Sequence, residues 1–227
     1  MLILDVTVEA ESIAGPPAEQ DAHRIAAMPA ARRPLFLAAR RGAGMALAAV
    51  TGCDPACVLI EAPGDTRPRC AGLLCDGPLA NAVRDFGIGF SYARDRALVA
   101  IARGLQVGVD LEALPQPGAR RRRWDAIRAA YFADMPGRIE TTIAEGFLAV
   151  WTRHEAFLKA CGDGITLPAE RRDPAAEGYA VNTVDAGAEY VAAVAAKASS
   201  FRYGILPASP ANASQPTGGK TPVPFPG

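Results

Sequence analysis

The chain has 227 residues, half of them hydrophobic, enough for a sizeable core and too apolar for global disorder. Basic and acidic residues balance at 24 each, so a bulk electrostatic grip on nucleic acid or an anionic membrane is not indicated. The five cysteines are odd in number and have no histidine beside them, which speaks against both a secreted disulfide framework and a zinc site. Leu2 to Val8 alternates as a strand, and residues 9–30 read as loop with a helical turn. Arg33 to Val50 reads as a helix, Cys57–Glu61 as a strand, and 62–83, rich in Pro and Gly, as turns. Phe86–Tyr92, Ala97–Ala102 and Leu105–Leu111 read as three consecutive strands. Helices are expected over Arg120–Phe132 and Ile139–Cys161, the second stopped by Gly162 and Gly164. Strands follow at Gly178–Val184, Glu189–Ala196 and Phe201–Leu206, then a Pro-, Ser- and Gly-rich tail.

This order predicts an α+β protein of two similar halves, 1–104 and 105–206, with 207–227 as a disordered tail. Two halves in one chain remove the need for a partner subunit, so a monomer is expected. No charged-then-apolar leader and no bilayer-length apolar run is present, so a cytoplasmic protein is expected, with no membrane and no nucleic-acid partner. The run Arg120 to Arg123 reads as a solvated helix face or, alternatively, a docking site for an acidic partner.

Two segments carry chemistry. In Val107-Gly108-Val109-Asp110-Leu111-Glu112, strand alternation puts Asp110 and Glu112 on one face, Cα atoms roughly 6.5 Å apart. Paired carboxylates of that kind suit a hard divalent cation, and Gly108 leaves room on their face for a ligand. An edge strand with a solvated acidic face reads the same way. In Trp151-Thr152-Arg153-His154-Glu155-Ala156-Phe157-Leu158-Lys159, residues 151, 155 and 159 share one helix face. Phe147, Val150, Trp151 and Leu158 are the expected core stripe. Glu155 and Lys159 are either a surface ion pair worth about 0.3–0.5 kcal/mol or a metal carboxylate beside a phosphate-binding lysine. The helix alone does not decide.

Together, Gly-Val-Asp-x-Glu on a strand and Trp-x-x-x-Glu-Ala-x-x-Lys on a later helix resemble the 4′-phosphopantetheinyl transferases, in particular their longer pseudo-dimeric type. Gly89-Phe90-Ser91-Tyr92-Ala93 is similar to the family's Ser-His-Ser element. The resemblance implies Mg²⁺ held by Asp110, Glu112 and Glu155, coenzyme A as substrate, and an acyl or peptidyl carrier protein as partner. It implies catalytic roles for Glu155, Lys159 and Asp110. Coenzyme contacts would come from Lys159, Ser91, Tyr92 and His154, with Arg33 and Arg40 toward the 3′-phosphate. His154 stands where the family usually has lysine, Tyr92 replaces a histidine, and Pro136 stands in place of a glutamate. Those departures keep open a weak or inactive homologue that binds coenzyme A or a carrier protein as a regulator.

Overall fold

The computed structural model describes residues 1–7, 21–61, 69–73, 84–115, 144–163 and 172–207, with residues 126 and 129. Its strands are β1 (Leu2–Thr7), β2 (Val58–Glu61), β3 (Arg69–Leu73), β4 (Phe86–Ala93), β5 (Arg96–Arg103), β6 (Val107–Ala113), β7 (Ala180–Val184), β8 (Tyr190–Ala196) and β9 (Gly204–Pro207). The helices are α1 (Ala22–Ala27), α2 (Arg33–Thr51) and α3 (Ala144–Cys161), with 3₁₀ turns at Ala30–Arg32 and Pro55–Cys57. Six strands form one sheet in the order β2-β3-β4-β5-β1-β9, and three form a second in the order β6-β8-β7. The protein is therefore α+β with two sheets.

Strand alternation explains how the layers stack. On β5, Ala97, Val99 and Ile101 pack with Leu35, Ala39, Ala43 and Leu47 of α2, while Leu98, Ala100 and Ala102 pack with Val107, Val109 and Leu111 of β6. Because both faces of β5 are covered, its residues between Arg96 and Arg103 form an unbroken apolar run. On β8, Ala192, Val194 and Ala196 face the first sheet, and Ala193 and Ala195 face Ala156, Phe157 and Ala160 of α3. The result is helix, sheet, sheet, helix. Small residues on β8 and α3 let these layers approach closely, and the most demanding contact is at Gly108. A Cβ there would collide with the backbone of Ala156 and Ala160, so the room for a ligand that the sequence suggested beside Gly108 is instead filled by α3.

Both long helices stop on left-handed glycines. Gly52 (φ 71°) donates its N–H to Ala48 O at 2.7 Å, and Gly162 (φ 81°) donates to Leu158 O at 2.9 Å. Three further differences from the sequence reading stand out. Residues 69–73, expected within turns, form β3, whose pairing with β2 outweighs the Pro and Gly around it. Val150 is 37 % exposed and lies off the core stripe, while Phe147, Leu148 and Trp151 are buried against Leu114 and Val191. The last strand leaves the C-terminal half: β9 pairs in parallel with β1, Ile205 opposite Ile3. Of the expected helix at 120–132 only Ala126 and Ala129 are described, and both are helical; the Arg120–Arg123 run, Pro136 and the tail from 208 onward lie outside the described residues. Among the described residues no helix is long and apolar enough to cross a membrane.

Candidate functional site

The contact of β6 with α3 brings the two motif segments together. Val107, Val109 and Leu111 enter the core between the sheets, so the alternate residues Gly108, Asp110 and Glu112 face the helix, as the period of two requires. Asp110 is 3 % exposed, and Lys159 Nζ donates to its Oδ1 at 2.5 Å. The lysine side chain is 35 % exposed, so its aliphatic stem lies along the protein while its ammonium borders solvent. Lys159 thus forms an ion pair that joins helix to strand.

A third group closes this arrangement. Ser91 on β4 is buried; its hydroxyl donates to Asp110 Oδ1 at 3.0 Å, accepts the Leu111 N–H at 3.0 Å, and accepts from Lys159 Nζ at 3.2 Å. Asp110 Oδ1 thus receives two donors, while Oδ2 is buried with no hydrogen-bond partner. An orphaned carboxylate oxygen is costly unless something fills it. Glu155, one turn before Lys159 and on the same helix face, is 4 % exposed. Glu112 is half-buried on the strand face shared with Asp110.

These residues fit a hard cation in donor type, and Asp110 Oδ2 is an oxygen in want of a partner. Among the described residues no three His, Cys, Asp or Glu side chains are gathered into a metal-binding group. Mg²⁺ does not require such a cage, since it is commonly held by one or two carboxylates with water and substrate phosphate.

The remaining residues expected at the site separate. Ser91 and Tyr92, neighbours in sequence, project to opposite faces of β4. Ser91 joins Asp110; Tyr92 joins the α2 side, its ring parallel to Phe90 (centroids 6.4 Å, 3°) and 6.3 Å from Phe36. The Tyr92 hydroxyl is buried without a hydrogen-bond partner, and burial holds its pKa above the usual phenol range against the opposing pull of Arg40. Arg40 is buried and committed within the protein. Its Nη2 lies 2.8 Å from Asp21 Oδ1, its Nε donates to Asp21 Oδ2 at 3.2 Å, and it also donates to the Ile60 carbonyl. Only the Nε contact has hydrogen-bond alignment with Asp21; the closer Nη2 contact is an ion pair without it. The guanidinium sits 5.8 Å from the Phe36 ring centre and 5.5 Å from that of Phe90. Arg33 Nε donates to Met28 O at 3.1 Å, closing the turn before α2.

His154 is half-buried on α3, and burial followed by the nearby Arg172 holds its pKa below the ordinary 6.5. Arg172 itself is paired with Glu177 and Asp163 and stacks over Phe157 at 5.0 Å.

Sequence reasoning did not identify Ser91 as the link between Asp110 and Lys159. A signal for it exists: Gly87-x-Gly89-x-Ser91 places two side chains of bare hydrogen on the β4 face that meets β6, followed by one polar group. No such signal marks the Asp21–Arg40 pair, whose acid lies in a segment without periodicity. No known protein-family model matches the chain, and no curated protein matches it in sequence.

Proposed function

We propose that this chain transfers 4′-phosphopantetheine from coenzyme A to a serine of an acyl or peptidyl carrier protein. The observation that carries this reading is the meeting of Lys159 with Asp110, and with it the convergence of the strand and helix motifs on one site. In the transfer, the carrier serine oxygen bonds to the β-phosphorus as the bond from that phosphorus to the bridging oxygen breaks. The electron pair leaves with 3′,5′-adenosine bisphosphate. Lys159, cationic and bordering solvent, would contact a coenzyme phosphate and stabilise charge developing on the pyrophosphate. Glu155 would accept the proton of the attacking serine. Asp110, Glu112 and Glu155 would hold Mg²⁺, which when bound would neutralise part of the pyrophosphate charge. The pseudo-twofold relation of two halves and a cytoplasmic setting belong to the same reading.

A second reading has a specific observation behind it. The Lys159 ammonium already neutralises Asp110 through Oδ1, which lowers its need for a divalent ion, and His154, with its depressed pKa, brings little charge to a phosphate at neutral pH. A homologue that binds coenzyme A without turning it over would look this way. Mass spectrometry of an apo carrier protein incubated with the chain, coenzyme A and Mg²⁺, with and without chelator, separates the two. Gain of one phosphopantetheine arm that chelator abolishes supports the transferase; coenzyme A binding with no gain across several carriers supports the inactive homologue.

A further inference from the structure

We infer that Ser91 is a positioning residue for the cation site: its hydroxyl fixes the Asp110 carboxylate so that Oδ2 is the oxygen left for a divalent ion. The inference rests on the cation-site part of the transferase reading, not on transfer itself.

A serine hydroxyl has one proton to give and two lone pairs to fill. At Ser91 all three are used: the proton goes to Asp110 Oδ1, and the lone pairs take Leu111 N–H and Lys159 Nζ. A fully used hydroxyl cannot rotate without breaking a bond, so its direction is set by a backbone amide of β6. That amide belongs to the residue after Asp110, which ties the serine and the carboxylate into one short ring of contacts. The serine can reach β6 because the strands meet closely there. A Cβ on Gly89 would lie 3.2 Å from both Gly108 Cα and Val109 N, so the β4–β6 approach leaves little room before Ser91. With Oδ1 held by serine and lysine together, the carboxylate cannot flip, and its other oxygen remains buried and unpartnered. Partners that orient a liganding carboxylate in this way typically account for 10- to 100-fold in metal affinity.

Titration of the full chain with Mn²⁺, followed by electron paramagnetic resonance with and without coenzyme A, tests this. Ser91→Ala should weaken Mn²⁺ binding about tenfold, and coenzyme A binding measured without metal should stay within about twofold of wild type. In an Asp110→Asn background the same change should cost nothing further, because the serine acts through that carboxylate. Unchanged Mn²⁺ affinity in Ser91→Ala overturns the inference. So does an equal further loss in the Asp110→Asn background, or a matching loss of metal-free coenzyme A binding, which would make Ser91 a ligand contact. Should Ser91→Ala not fold, Ser91→Cys keeps the volume with a weaker hydrogen-bonding group, and unchanged affinity there overturns the inference equally. A wild-type chain that binds no Mn²⁺ removes the cation site and the inference together. A wild-type chain that binds Mn²⁺, shows the Ser91 effect and transfers nothing leaves the inference standing and removes the transferase.

Discussion

Lys159 Nζ and Asp110 Oδ1 are 2.5 Å apart, although 49 residues separate them and each belongs to a different layer of the fold. The lysine lies in the last turn of α3 and the aspartate in the middle of β6, so the contact exists only because helix and strand pack with almost no space between them. An ammonium on a buried carboxylate offsets a charge that would otherwise be expensive to desolvate. It also sets a built-in cation in electrostatic competition with a divalent ion at the neighbouring Oδ2.

That competition predicts an unusual variant. Lys159→Met should abolish transfer, by about 10²–10³-fold, since it removes a charge aimed at the reacting phosphates. The same variant should bind Mn²⁺ more tightly than wild type in the absence of coenzyme A, because the ammonium no longer repels an ion at the neighbouring Asp110 Oδ2. Weaker metal binding in Lys159→Met, read by paramagnetic resonance, would show that the ammonium does not contest the site.

Glu155→Gln separates catalysis from folding. Glu155 is buried, and glutamine keeps its shape while removing a charge that is costly to desolvate. Transfer should fall by two orders of magnitude or more while the melting temperature stays level or rises, on the order of 10² or greater being the usual cost of a lost acid–base group. Retained transfer, followed by carrier-protein mass, would sink the role given to Glu155.

His154 makes a prediction about stability against pH. Its folded pKa is lowered, by burial first and Arg172 second, so the unfolded chain binds the proton more readily than the folded one. The sign follows: stability linked to this group is intact above the ordinary value of 6.5 and declines as pH falls through and below it. Urea denaturation of wild type and His154→Gln at pH 7.5 and pH 5 should show wild type losing more on acidification. Parallel losses in the two proteins would mean that the imidazole is not held neutral by the fold.

Gly108→Ala should be among the most damaging conservative changes. The new methyl group meets helix backbone, which cannot turn aside as a side chain can. A destabilisation of about 3 kcal/mol is expected from such overpacking, measured by chemical denaturation. A near-neutral result would mean that α3 can shift away from β6 at little cost.

Arg40 tests whether it serves the fold or a ligand. Arg40→Leu leaves Asp21 buried and unpaired, and should cost about 3–5 kcal/mol. Adding Asp21→Leu should restore much of that loss, as measured by urea midpoints. If Arg40→Leu instead leaves stability unchanged and weakens coenzyme A binding, the guanidinium belongs to the coenzyme site.

Much of the local structure is legible in the amino-acid order. Alternation on β6 told which residues face which side, and Gly162 marked the end of α3. Asp110, Glu112, Glu155 and Lys159 were nameable as candidates because their spacing on strand and helix is set by periods of 2 and 3.6. What those periods cannot give is which surfaces meet. Lys159 meeting Asp110 across two layers, Ser91 and Tyr92 parting to opposite faces, Arg40 turning inward to Asp21, and β9 crossing to pair with β1 all depend on long-range packing. Each is decided by how layers of small side chains close on one another, a balance of buried area, desolvation and hydrogen-bond geometry that no local stretch of the chain contains.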